Sequence, residues 1–216
     1  MSSNGRGFVV TFEGIDGSGK STAISRLAKK LQDAQVKYTV IRDEGELTHL
    51  KDARDVFDLE GIDIDNPDVK FLLYIAQTTS KEPLYRSYTE KGMVVLVDRG
   101  IDTMIAYGTL FLGDKNESFY RGINRLIMTY FDKPDLTFLF ACSSEERRHR
   151  FLKRGEEIPA NFDVTERKLD AEYRSLVLSQ PSRFRQLDTT ELDEEEVVGE
   201  VWNHLKKELS RRKLCA

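Results

Sequence analysis

Gly14-Ile15-Asp16-Gly17-Ser18-Gly19-Lys20-Ser21-Thr22 has the G-x-x-x-x-G-K-[ST] spacing of a loop that wraps phosphate groups. Its glycines let the backbone turn tightly and approach a polyanion, so that successive N–H groups and the start of a following helix face negative charge. Lys20 adds a mobile cation, and Ser21 a hydroxyl for the divalent metal that accompanies nucleoside triphosphates. The competing explanation is a glycine-serine turn that happens to carry a lysine. The flanks favour the loop. Residues 8–12 (FVVTF) form a short apolar, β-branched run directly before it, and residues 23–31 carry apolar side chains at helical spacing directly after it. Strand, glycine loop and helix in that order predict an α/β fold with the phosphates of a nucleotide on residues 14–22.

The 216 residues allow one compact α/β unit spanning the whole chain. With 33 basic and 37 acidic residues the net charge is −4, which argues against a protein that coats nucleic acid. Cys142 and Cys215 lie far apart, so neither a disulfide framework nor a zinc site is expected, and Cys142 reads as a small buried residue at a strand end. His49, His149 and His204 are isolated and show no metal-ligand grouping. There is no apolar run of membrane-spanning length and no secretory leader in the first residues. A cytoplasmic location is the expectation.

Further along, residues 37–42 read as a second strand with Arg42 at its carboxyl end, where open parallel sheets place ligands. Arg42 is either an anion contact or a solvated strand-edge residue. Residues 43–46 read as a polar turn, 48–60 as a short polar helix, and 61–67 as a turn whose Pro67 opens the next helix. That helix is expected over about 68–91, with Phe71, Leu72, Tyr74, Ile75, Leu84 and Tyr88 as a mostly buried stripe and a kink or break at Pro83. Gly92 ends it. The continuous apolar run 93–97 then suits a central parallel strand, closed by Asp98-Arg99. Beside a phosphate loop such a pair can hold Mg²⁺ through the carboxylate and clamp phosphate through the guanidinium; alternatively it is an internal ion pair.

Helices over 103–112 and 115–130 lead to a fourth strand, 136–141. The following segment starts with a helix N-cap and an acidic first turn, then turns basic. Arg147, Arg150 and Arg154 recur at three- and four-residue steps and share one side, and the run enters a flexible stretch, 155–162, with Pro159. It is either a solvated face or a mobile basic lid over a triphosphate, covering about 143–164. A helix over 163–178, a fifth strand at 184–188, and an amphipathic helix over 193–209 with Val197, Val198, Val201, Trp202 and Leu205 inward complete the chain.

The chain resembles the thymidylate kinase family of the nucleoside monophosphate kinase branch. The resemblance rests on Phe12-Glu13 plus the loop, Asp98-Arg99 followed by Ala106-Tyr107, Lys133-Pro134-Asp135-Leu136, and Leu187-Asp188-Thr189. It implies a five-stranded parallel sheet flanked by helices, ATP and Mg²⁺, a closing lid, a nucleotide acceptor and a homodimer. Carried over by position, Lys20, Asp98, Arg99, Arg150 and Arg154 would be the catalytic set, with Ser21 and Asp98 on the metal. Asp16 would contact the sugar 3′-hydroxyl, Arg42 and Arg99 the acceptor phosphate, and Tyr74 the base, while Tyr107 would disfavour a 2′-hydroxyl.

Several family residues are replaced around the acceptor. Thr78 stands where the family has a base-reading arginine, Gly100 where it has tyrosine or histidine, and Gly108 where it has glutamine. The family's Arg-Glu-Pro-Gly turn is reduced to Arg42-Asp43-Glu44-Gly45, and its lid Asp-Arg pair is missing between Gly155 and Phe162. The resemblance therefore implies transfer of the ATP γ-phosphoryl to a deoxynucleoside monophosphate, with thymidylate the leading acceptor. The alternatives are another nucleotide or nucleoside acceptor, or a nucleotide-binding switch or inactive homologue that binds ATP or GTP and a protein partner.

Overall fold

In the computed structural model the described residues are 5–42, 66–112, 117–158 and 162–214. The expectations for 43–46, 48–60 and 61–65, and for His49, Pro159 and Cys215, lie outside them. Among the described residues five strands form one sheet: β1 (Phe8–Gly14), β2 (Tyr38–Ile41), β3 (Val94–Asp98), β4 (Leu136–Ala141) and β5 (Phe184–Asp188), in the order β2-β3-β1-β4-β5. All pairings are parallel. The three inner strands carry the near-continuous apolar runs because both faces are covered by helices.

On one face α1 (Lys20–Asp33) and α7 (Glu194–Arg211) bury Ile24, Leu27, Leu31, Val201 and Leu205 against Phe8, Val10, Phe12 and Phe138. On the other, α2 (Pro67–Glu90), α3 (Ile101–Leu112), α4 (Glu117–Tyr130) and α6 (Phe162–Ser179) gather Phe71, Met104, Ile127, Leu169 and Tyr173. Each fully buried ring or aliphatic side chain contributes about 2 to 3 kcal/mol of transfer free energy. The remaining helix, α5 (Ser144–Lys153), follows β4 and lies over the carboxyl ends of the strands.

Local chemistry sets the element ends. The Ser143 side chain caps α5 through the Glu146 N–H, Asn66 caps α2 ahead of Pro67, and Asp193 with Glu196 forms a capping box on α7. The helix after the loop begins at Lys20, so the loop's lysine and serine are already helical.

Two expectations about α2 are corrected. The helix does not break at Pro83 but runs through it, the one missing N–H bond being outweighed by packing along the helix, where Phe71 and Thr89 are buried. The stripe is also narrower than the sequence suggests, because Leu72 and Leu84 are 51% and 47% exposed, while Phe71, Tyr74 and Ile75 face the core. Cys142 is buried just beyond β4, and His204 packs edge-on to Phe138. Among the described residues no helix is long and apolar enough to cross a membrane.

The register decides where the chemistry gathers. Phe12 pairs with Asp98 and Gly14 with Phe140, so the loop after β1 and the Asp98-Arg99 pair after β3 emerge side by side from the carboxyl edge of the sheet, where open α/β folds bind ligands.

Candidate functional site

The loop leaves β1 through Gly14, whose φ of 129° and close approach to the Phe140 carbonyl, 2.3 Å from where a Cβ would stand, admit no side chain. It then turns over a cavity of about 530 Å³ lined by Asp16, Gly17, Gly19, Lys20, Ser21, Thr22, Asp98, Arg99, Phe151, Arg154 and Glu156. Four of the five residues assigned catalytic roles from the sequence, Lys20, Asp98, Arg99 and Arg154, line it together.

Lys20 is buried, and its ammonium donates to the Ile15 carbonyl at 2.8 Å. Burial, reinforced by the Arg99 charge, pushes its pKa down to about 7 against the pull of Asp16, Asp98 and Glu13. A phosphate arriving in this cavity would favour the charged form. Ser21 Oγ donates to Asp98 Oδ2 at 3.0 Å, so a hydroxyl and a carboxylate already converge at the helix start. Two hard oxygen donors beside a phosphate site fit a magnesium ion, which would be held by Ser21 and Asp98 and would neutralise phosphate charge. Among the described residues no group of three or more His, Cys, Asp or Glu side chains forms a separate metal cluster.

Arg99 has a left-handed backbone, φ 62°, which costs a non-glycine residue about 1 to 2 kcal/mol. Glu13 holds the turn: its carboxyl accepts the Gly100 N–H at 2.9 Å and pairs with the Thr103 hydroxyl, which meets the Tyr173 hydroxyl at 2.9 Å. The Arg99 side chain is thereby aimed at the Asp16 carboxylate, with which it forms an ion pair, and at the Tyr107 hydroxyl, 3.2 Å away. Burial alone would raise the Asp16 pKa, but Arg99 and Lys20 outweigh it and hold the carboxyl below its ordinary value. Tyr74 also acts electrostatically on Arg99. Asp16, Tyr74, Arg99 and Tyr107 thus form one neighbourhood.

The remaining expected residues fall elsewhere. Arg42 is exposed and donates to Ser25 on α1 at 3.2 Å. Thr78, one helical turn beyond Tyr74, lines a separate cavity of about 310 Å³ with Thr11, Gly100, Glu82, Arg86 and Arg212. Gly108 lies under two rings, since a Cβ there would come within 2.7 Å of both Phe71 and Tyr120. Its bare surface lets α2 and α4 close on α3.

On the lid side, Arg154 donates to both Glu156 oxygens at 2.8 and 2.6 Å and lies 4.9 Å from the Phe151 ring centre. Arg150 instead grips main chain: it donates to the Gly17 carbonyl at 3.1 Å and the Thr189 carbonyl at 2.7 Å. Sequence reasoning assigned no individual role to Glu13, Phe151, Glu156 or Thr189, and read Arg147 only as part of a basic lid face. Arg147 was signalled by its spacing from Arg150; the burial of Glu13 carries no local pattern.

The thymidylate kinase family model matches residues 12–201. The chain is 31% identical over 194 residues to a thymidylate kinase of Mesoplasma florum, covering 86% of this chain and 89% of that one. It is 31% identical over 207 residues to a probable thymidylate kinase of Methanosarcina barkeri, covering 94% and 99%. The solved thymidylate kinase of Candida albicans superposes with a TM-score of 0.71 at 20% identity, over 95% of this chain and 94% of that one. The matched span contains the loop, the Asp98-Arg99 pair, Arg150 and Arg154 and all five strands except the start of β1, and the chain belongs to the thymidylate kinase family.

Proposed function

We propose that this protein transfers the γ-phosphoryl group of ATP to the 5′-phosphate of a deoxynucleoside monophosphate, with thymidylate the leading acceptor. The observation that carries it is the convergence of Lys20, the Ser21–Asp98 pair and Arg99 on one 530 Å³ cavity at the strands' carboxyl edge. Phosphoryl transfer asks the protein for positioning and charge stabilisation rather than covalent chemistry.

In this mechanism Lys20 and the loop N–H groups hold the ATP phosphates, and Arg99 leaves Asp16 for the acceptor phosphate. Ser21 and Asp98 would hold magnesium, which would supply neutralisation of phosphate charge. Arg154, from a lid over about 143–164, stabilises charge that spreads over the transferring group. Asp16, freed from Arg99, takes the acceptor's 3′-hydroxyl; Tyr107 crowds its 2′ position and Tyr74 stacks on its base. Arg42 and Arg150 keep their proposed contacts only if they give up their bonds to Ser25 and to Gly17 and Thr189.

With Thr78 in place of a base-reading arginine, sugar selectivity should exceed base selectivity. A panel of the four common deoxynucleoside monophosphates, deoxyuridylate and the matching ribonucleotides, with ATP and Mg²⁺, tests this. The expected order is deoxy over ribo, with thymidylate accepted and less than about a hundredfold ahead of deoxyuridylate. A thymidylate preference above about a thousandfold, or a ribonucleotide preference, contradicts it. The protein is proposed to work as a homodimer, supported by exposed apolar side chains on neighbouring helices, Leu72 and Leu84 on α2 and Leu126 and Tyr130 on α4.

A further inference from the structure

Three successive carbonyls of the phosphate loop are each held from outside by a side chain. Arg147 Nε donates to the Asp16 carbonyl at 2.6 Å, Arg150 Nη1 to the Gly17 carbonyl at 3.1 Å, and Thr189 Oγ1 to the Ser18 carbonyl at 2.9 Å. In a trans peptide the C=O and N–H point in opposite directions across one rigid plane. Fixing the Asp16 and Ser18 oxygens outward therefore fixes the Gly17 and Gly19 N–H groups on the opposite side. Gly17 and Gly19 line the 530 Å³ cavity while Ser18 does not, and the Ser18 N–H turns back on the Ile15 carbonyl at 3.4 Å.

Of the two arginines among the holders, Arg147 is the more deeply buried. It is 4% exposed, its guanidinium lies 4.2 Å from the Phe162 ring centre, and Nη1 is 3.2 Å from Glu166 Oε2. Glu166 is itself fixed by the Ser144 hydroxyl at 2.6 Å. An arginine so buried, braced by an ion pair and a ring on α6, spends its strongest hydrogen bond on one peptide oxygen of the loop. Helix α5 lies directly on that peptide: a Cβ on Gly17 would stand 3.1 Å from the Phe151 ring and 3.5 Å from the Arg147 Cβ.

We propose that Arg147, braced by Glu166 and Phe162, is a positioning residue that presets the loop's Gly17 N–H toward the phosphates of the donor nucleotide. This rests on the proposal that the loop holds ATP. Arg147 touches no substrate; it acts through the Asp16–Gly17 peptide, and it links donor binding to the seating of α5 on the loop.

The test compares wild type, Arg147→Met, Arg147→Lys and Glu166→Gln in steady-state kinetics and in thermal unfolding with and without Mg²⁺–tripolyphosphate, a probe with phosphates and no base or sugar. For Arg147→Met the expected result is a KM for ATP raised roughly tenfold or more, the loss of one charge-assisted hydrogen bond. The KM for the acceptor should change less than about threefold, and most of the tripolyphosphate stabilisation should be lost. Arg147→Lys should restore part of both, and Glu166→Gln should raise the KM for ATP by about threefold. A folded Arg147→Met protein of lower thermal stability but unchanged KM for ATP and undiminished tripolyphosphate stabilisation would overturn the proposal. Should that variant not fold, an unchanged KM for ATP in Glu166→Gln overturns it instead. A wild type that tripolyphosphate fails to stabilise would overturn the phosphate-loop assignment itself, a different outcome from a variant stabilised as well as wild type.

Discussion

Replacing Glu13 by Gln should remove a pH dependence from the stability of the fold. The Glu13 carboxyl is fully buried; burial is the main cause that pushes its pKa from 4.5 to about 8, the Asp102 charge adds to this, and bonds from Thr103 and Gly100 and the Arg99 charge oppose it. The folded protein therefore holds a proton that the unfolded chain has already released between pH 4.5 and 8. Stability from this proton is complete below pH 4.5, declines as pH rises, and is gone above about 8.

The gap of about 3.5 pH units, at about 1.4 kcal/mol each, sets a ceiling of about 5 kcal/mol. Across pH 5.5 to 7.5 the slope gives about 2 to 3 kcal/mol. Glutamine keeps an oxygen for the Gly100 N–H and an N–H for Thr103, and it does not titrate. Lys20 has the opposite sign, because its lowered pKa makes stability rise with pH only above about 7, at the top of the range assayed. The assay is urea unfolding of both proteins at pH 5.5, 6.5 and 7.5. Glu13→Gln should gain on wild type by about 2 kcal/mol over that range. A difference constant to within about 0.5 kcal/mol would refute a buried neutral carboxyl at this position.

Asp102→Ala should destabilise the fold by about 3 to 5 kcal/mol, because it strands the buried Arg183 guanidinium, which Asp102 holds through both oxygens at 2.6 and 2.7 Å; urea unfolding measures it, and a loss below about 1 kcal/mol would contradict the pairing. Arg154→Ala should lower kcat more than it raises the KM for ATP, since its charge is used as the transition state forms; an unchanged kcat in steady-state assays would leave Arg154 a solvated helix residue.

The phosphate loop was legible because its requirements are local: glycines where side chains would collide, then a lysine and serine at the first helical positions. The inner strands were legible for a similar reason, since burial on both faces writes itself as an unbroken apolar run at 94–97 and one interrupted only by Thr137 at 136–140. Helix α2 was read less well. Its apolar residues are spread around the axis, so periodicity could not separate buried Phe71 from exposed Leu72, and Pro83 is tolerated because packing along the helix decides the matter. Within the site, Asp98 and Arg99 were placed by strand-end logic. Glu13 and Arg147 were not, because their partners lie 87 and 131 positions away for the Gly100 and Asp16 contacts. Charged residues read as solvated unless the fold is known to bury them.

The central claim, ATP-dependent phosphorylation of thymidylate driven by this loop, is tested most directly by following nucleoside diphosphate formation from ATP, Mg²⁺ and thymidylate by phosphorus NMR, for wild type and Lys20→Ala. Thymidine diphosphate should form with wild type, and at least about a hundredfold more slowly with Lys20→Ala, a loss on the order of 3 kcal/mol of transition-state stabilisation. No thymidine diphosphate from a folded wild type, or a Lys20→Ala protein retaining more than about a third of its turnover, would contradict it.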